Sequence, residues 1–183
     1  MSSRQSLLDV LANYLPWDEH ESEMVQTMRQ LLATQENCFD RLCMPGHLTA
    51  SAWVVSKNPP TALLIHHVKL DKWLQPGGHA DGNMDLESVA RRELLEETGL
   101  NLDHIPAEMF DVDVHLIPAR GDVEAHFHHD VRFRFWVDQP LESRINHEVK
   151  EARWISLDEI PKWNDQASII RMVHKSTGLR EMQ

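Results

Sequence analysis

The chain has little cysteine, a single tyrosine and no excess of positive charge. Its only cysteines are Cys38 and Cys43. Their spacing is not that of a zinc site and no disulfide framework surrounds them, so both are expected to be reduced structural thiols. Lysine and arginine number 18 against 29 aspartate and glutamate, a formal charge of −11 with a pI near 5.5. Without a basic stripe to neutralise phosphates, general nucleic-acid binding is not expected. No apolar run approaches the roughly 20 residues that span a bilayer. The first residues also lack a basic-then-apolar signal pattern, so no membrane partner is expected and cytoplasmic residence is the default. Internal repeats and low-complexity segments are lacking too.

At 183 residues the chain is one domain's worth and can bury a substantial core. Residues up to about Gln35 read as two helices split at Pro16. Leu7, Leu8 and Leu11 mark the first, and Met24, Val25, Met28, Leu31 and Leu32 the second. They form an extension placed to pack on the core or to pair two subunits, so a homodimer is open. Strands are expected from His47 to Ser56 and from Ala62 to Val68, joined by a turn at Asn58-Pro59-Pro60. Further strands are expected around Met109 to Ile117, from Ala125 to Asp138 and from Arg153 to Ser156. A helix near Ala167 to Lys175 closes the pattern.

Between these strands lies the most informative segment, Arg92-Glu93-Leu94-Leu95-Glu96-Glu97-Thr98-Gly99-Leu100. Glu93, Glu96 and Glu97 stand at i, i+3 and i+4, on one face of a helix. An acidic helix face is ordinarily solvated. Here, however, Leu86, Val89 and Ala90 precede Glu93 by seven, four and three residues, so the acidic stripe continues an apolar, core-facing one. Carboxylates crowded at a cleft edge raise one another's pKa unless a cation neutralises them, and an all-oxygen set suits Mg²⁺ or Mn²⁺. Upstream, Gln75-Pro76-Gly77-Gly78-His79-Ala80-Asp81-Gly82-Asn83 is a turn-rich stretch whose glycines let backbone approach a ligand. Gly99 stands where a helix C-cap glycine belongs.

This stretch resembles the Nudix box of Nudix hydrolases, G-x5-E-x7-R-E-U-x-E-E-x-G-U with U a bulky aliphatic. It runs here from Gly78 through Arg92, Glu93, Glu96, Glu97 and Gly99 to Leu100. One position departs: Met84 replaces the first Glu, with Asp85 after it and Asp81 before it, which puts loop support in question more than catalysis. The resemblance implies an α/β fold, a Nudix-type α/β/α sandwich with a mixed sheet (residues 46–183), preceded by the helical extension (residues 1–45). It also implies that Glu93, Glu96, Glu97 and the Gly78 carbonyl hold Mg²⁺, with Mn²⁺ as substitute. Arg92 would pair with and position a neighbouring carboxylate. Glu93 or a later glutamate would act as general base; outside the box Glu148, just ahead of the Trp154-bearing strand, is the candidate, with Glu151 beside it. The implied reaction is water attack at phosphorus on a phosphoanhydride of a nucleoside diphosphate derivative or a nucleoside triphosphate.

In the strand from His126 to Trp136, alternation puts Phe127, Val131, Phe133 and Phe135 on a core face. His126, His128, Asp130, Arg132 and Arg134 lie on the other. An anionic substrate makes Arg132 or Arg134 a candidate phosphate ligand. His126 and His128 resemble a metal pair by spacing, but with a carboxylate site already present they are expected to hydrogen-bond substrate or meet solvent, and His79 is placed to touch a phosphate. Sub-signatures for ADP-ribose, dinucleoside polyphosphate or coenzyme A substrates do not fit: Pro118 lies too far past the box and the only tyrosine is Tyr14. Two alternatives remain. A diphosphate isomerase on the same fold would need a catalytic cysteine, and a nucleotide-sensing module would bind without turnover.

Overall fold

The computed structural model describes residues 3–178, so the outer ends of the two expected segments, 1–2 and 179–183, lie outside the described residues. Helix α1 (Arg4–Asn13) begins with a capping box in which the Ser3 and Ser6 side chains each accept from the other's backbone N–H. Helix α2 (Glu19–Thr34) starts at Asp18, whose carboxylate accepts from the Glu21 N–H at 2.7 Å. Pro16 separates the two, as the sequence pattern predicts.

Seven strands form one mixed sheet: β1 (Gly46–Lys57), β2 (Pro60–His67), β3 (Lys72–Leu74), β4 (Gly77–His79), β5 (Ala107–Ile117), β6 (His126–Val137) and β7 (Val149–Ser156). The central pair, β1 and β6, is parallel and the remaining pairings are antiparallel. Strand β1 pairs with β4 through Thr49–Ser51 but with β2 only through Val55–Lys57. The sheet therefore forks along β1. Of the short strands that flank the fork, β4 falls in the turn-rich stretch and β3 carries no strand signal of its own, because their pairing is set by β1 and β2 rather than by local composition.

Successive β-strand residues face opposite ways, and both faces are covered. On one, Leu48, Ala50, Ala52 and Val54 of β1 and Val131, Phe133 and Phe135 of β6 join a core with α1, α2 and α3 (Leu86–Thr98). On the other, Trp53 and Val55 pack with Ile160 of α4 (Ile160–Trp163) and with Ile169, Met172 and Val173 of α5 (Ala167–Thr177). This is the expected α/β/α sandwich with a helical extension. Leu7, Leu11, Val25, Met28, Leu31 and Leu32 of the extension are buried in the same core cluster as the sheet. At roughly 2 kcal/mol per buried side chain they make a large contribution to it.

Two expectations about β6 need correction. Phe127 is 41% exposed, because it lies at the strand's beginning beyond helix cover. The face carrying Arg132 is not open: α5 covers it and leaves Arg132 3% exposed. Among the described residues, no helix is long and apolar enough to cross a membrane.

Candidate active site

The site is built where the C-terminal half of α3 meets β4 at the fork. Asp85 caps the helix, accepting from the Ser88 N–H, and Gly99 ends it in the left-handed conformation at φ 70°. Leu86, Val89, Ala90 and Leu94 are fully buried, which fixes the rotation of α3 and carries Glu93 and Glu97 inward with them. Glu97 is 2% exposed and accepts the Gly77 N–H at 2.9 Å. Glu93 packs so closely on β4 that a Cβ added to Gly78 would fall 2.5 Å from its carboxyl carbon. Any side chain there would displace the Glu93 carboxylate. Arg92 donates to Glu93 Oε1 at 2.6 Å and to the His79 carbonyl at 2.9 Å, tying helix to strand. Glu96 stands at the mouth, half exposed, with Arg92 Nε 4.0 Å away.

Arg92 is the one cation paired with these three carboxylates among the described residues. Burial pushes Glu97 up to about 8 against the opposing pull of the Gly77 N–H, and the charges of Glu93, Glu148 and Glu96 add to the rise. Glu93 is likewise raised by burial even though Arg92 contacts it. Buried acids whose ionised forms are this disfavoured, offering only oxygen donors, fit a hard divalent cation.

Glu148 precedes β7 and is held by Lys69 Nζ at 3.2 Å, which keeps its carboxyl below the usual range. Its charge is felt by both Glu93 and Glu97. Around the departing position, Met84 is 40% exposed. The loop is braced by other means: Arg41 Nε donates to Asp81 at 2.5 Å, and Asn83 bonds both Ser88 Oγ and the Asp85 N–H at 2.9 Å.

The three residues expected to bind substrate are placed otherwise. Arg132 is committed to Asp130 at 3.0 Å, Asp111 at 3.2 Å and Asp113 at 3.0 Å. With every guanidinium nitrogen occupied by carboxylates beneath α5, no fork is left for a phosphate, and that expectation is withdrawn. Arg134 is also engaged, donating to Glu108 and stacking 4.2 Å over Phe110. His79 and Gly78 project from opposite faces of β4, so the His79 ring points away from Glu93 and meets His128, Nε2 to Nε2, at 3.3 Å. Burial, chiefly, holds His79 down at about 4 and His128 at about 2, so both are neutral rings rather than cationic anion ligands. Sequence reasoning did not single out His47 and His115, which complete this cluster. Their places opposite His128 follow from the β1–β6 and β5–β6 registers.

The sequence profile of the NUDIX domain matches residues 46–174. Among curated protein sequences no match to this chain is found. Several solved structures share its fold. The E. coli dihydroneopterin triphosphate pyrophosphohydrolase aligns with a TM-score of 0.60 at 11% identity, covering 70% of this chain and 92% of its own. The NUDIX domain of Shewanella oneidensis NrtR, complexed with ADP ribose, aligns at 0.57 with 16% identity, covering 81% and 96%. A C. elegans Ap4A hydrolase binary complex aligns at 0.56 with 17% identity, covering 72% and 95%.

Proposed function

The chain belongs to the Nudix family of pyrophosphohydrolases, and from that premise we propose that it hydrolyses a phosphoanhydride bond in a nucleoside diphosphate linked to another moiety. The products would be a nucleoside monophosphate and a phosphorylated fragment. The observation that carries this reading is the inward-facing pair Glu93 and Glu97 beneath β4, both raised by burial, with Glu97 lacking an ion-pair partner among the described residues and pushed up to about 8. Glu93, Glu96, Glu97 and the Gly78 carbonyl would hold Mg²⁺, or Mn²⁺ in its place. Bound there, the cation would screen the diphosphate and lower the pKa of a coordinated water.

The chain's own residues supply the rest. Arg92 fixes Glu93 against β4, and the Gly77 N–H orients Glu97. Glu148 is the proposed acceptor of the water's proton, because Lys69 keeps it ionised while burial disfavours the charged form of Glu93. The structural neighbours named above carry three different ligands or substrates in their descriptions, so the reading stays at the level of a nucleotide-derived phosphoanhydride, with nucleoside triphosphates second.

The test is nucleotide and phosphate release from NDP-sugars, ADP-ribose, CDP-alcohols, dinucleoside polyphosphates and NTPs, each with Mg²⁺, Mn²⁺ or EDTA. Metal-dependent release of nucleoside monophosphate from one class supports the proposal and names the substrate. Silence across the panel with nucleotide still binding would overturn it in favour of a sensing module. A diphosphate isomerase finds no support, since Cys38 and Cys43 are buried and both thiols are raised by that burial.

A further inference from the structure

On the sheet face opposite the Glu93 carboxylate, three strands bring histidines together. His47 of β1 lies in register with His128 of β6, and His126 precedes His128 by two residues, so all three project from the same face. Their ring centroids are 5.0 Å apart for His47 and His126, 4.9 Å for His47 and His128, and 5.2 Å for His126 and His128. One ring nitrogen from each lies within 4.8 Å of those from the other two. His79 of β4 adds a fourth ring, 5.1 Å from that of His47.

Ordinary core packing does not account for this grouping. His47 is 1% exposed, and neither of its ring nitrogens meets a partner in hydrogen-bond geometry, although the Cys43 carbonyl is close enough to favour a proton on the ring. A buried polar group left in this way is rare. His126 Nδ1 lies 2.8 Å from the Glu124 carbonyl, which can only accept, so the proton is on Nδ1 and Nε2 keeps its lone pair. A backbone carbonyl behind a ligating histidine is the usual arrangement that orients the ring toward a metal. A tetrahedral zinc ion with Zn–N bonds of roughly 2.0–2.1 Å holds its nitrogens about 3.3–3.4 Å apart. His79 Nε2 and His128 Nε2 already stand at 3.3 Å. Burial and mutual crowding favour the neutral form of the His47, His79 and His128 rings, the form that ligates.

We propose that His47, His126 and His128, with His79 as fourth ligand, form a binding site for a transition-metal ion of the zinc class, separate from the carboxylate site. The two sites divide by ligand hardness: imidazole nitrogens select Zn²⁺ or Co²⁺, whereas carboxylate oxygens select Mg²⁺ or Mn²⁺. Gly78 and His79, adjacent in β4, belong to one each.

Cobalt distinguishes the sites by colour, since four-coordinate Co²⁺ absorbs intensely in the visible and six-coordinate oxygen-bound Co²⁺ only weakly. Tag-free, EDTA-stripped full-length protein is titrated with Co²⁺. The expected result is an intense band saturating at one equivalent, unaffected by excess Mg²⁺, displaced by Zn²⁺ and retained in Glu97→Gln. In a folded His126→Gln/His128→Gln variant the affinity falls by about tenfold or more. No intense band in the wild type, or an undiminished band in the histidine variant, would overturn the proposal, as would loss of the band in Glu97→Gln. Should the double variant fail to fold, ¹⁵N spectra of wild-type imidazoles decide the matter. Zn²⁺ must shift the ring nitrogens of His47, His79, His126 and His128 and spare those of exposed histidines such as His20 and His104; the reverse pattern overturns the assignment.

Discussion

Two clusters of charge lie on opposite sides of this sheet, and they differ in what completes them. Beneath α5, the carboxylates of Glu21, Asp111, Asp113 and Asp130 meet Arg132, Arg171 and Lys175 within the protein. Burial alone would raise Asp111 and Asp113, but Arg171 and Arg132 hold Asp111, and Arg132 holds Asp113, below the usual carboxylate range. At the fork, Glu93 has one partly exposed arginine, Arg92, and Glu97 has only the Gly77 N–H, and both are raised instead. Similar side chains at similar depth thus shift in opposite directions. The first cluster is closed and holds Glu21 of α2 and Lys175 of α5 against the sheet; the second is open to a cation from outside.

The largest expected effect breaks the open cluster. Glu97→Gln should lower metal-dependent turnover by about a thousandfold or more, roughly 4 kcal/mol of transition-state stabilisation. Urea unfolding in EDTA at pH 7 should show no loss of stability, because Glu97, pushed up to about 8, is mostly protonated there and the amide is its neutral isostere. Retention of most of the rate would refute the assignment of the site.

Breaking the closed cluster should do the reverse. Arg132→Met should cost about 3–4 kcal/mol of folding stability at neutral pH, since it leaves Asp113 buried without its main partner. Turnover per folded molecule should change little. The pH dependence has a definite sign. In the wild type the Asp111 and Asp113 contribution is present above their unfolded value near 3.8 and is lost as pH falls through their lowered folded values. In Arg132→Met, burial dominates Asp113 and raises it, so protonation relieves the variant on acidification. The stability gap measured by urea unfolding should therefore be widest at pH 7 and narrow toward pH 3; a constant gap would show that lost packing, not charge, sets the cost.

A smaller effect grades the open cluster internally. Glu96 is 57% exposed, so water already serves its charge. Glu96→Gln should reduce turnover by about tenfold, well short of the Glu97 variant. Equal losses in the two variants, read from Mg²⁺-dependent rates, would mean that burial does not rank the ligands.

The open cluster was the more legible of the two in sequence, because its parts are local. The i, i+3, i+4 carboxylates, the apolar Leu86, Val89 and Ala90 and the Gly99 cap all belong to one helix, and helix periodicity fixes their common direction. The closed cluster draws on β5, β6, α2 and α5, and strand alternation told which face Arg132 occupies but not that α5 would cover it. A signal was present: Asp111 and Asp113 alternate in one strand, Asp130 and Arg132 in another, and Arg171 and Lys175 stand at i, i+4 on the last helix. That balance of signs at compatible periods suits an internal network better than a phosphate site. The histidine face was half legible for the same reason: His126 and His128 share a strand, whereas His47 joins them through parallel β1–β6 pairing that no local pattern announces.

The smallest effect concerns Met84, where the box departs from its family pattern. If a glutamate there were needed to brace loop and helix, the open cluster would be short of support and turnover would be poor. The structure supplies that support elsewhere: Asp81 is clamped by Arg41, Asn83 bonds Ser88 and the Asp85 N–H, and Asp85 caps α3. Met84 is itself 40% exposed, so a carboxylate placed there would be largely solvated. Met84→Glu should therefore change the metal-dependent rate by less than about threefold, roughly 0.6 kcal/mol. Arg41→Ala, which releases Asp81, should slow the reaction more than Met84→Glu speeds it. A gain of about tenfold or more in Met84→Glu would reverse the argument: the loop would be under-braced, and the intact ligands of the open cluster would belong to a protein that binds nucleotides better than it cleaves them.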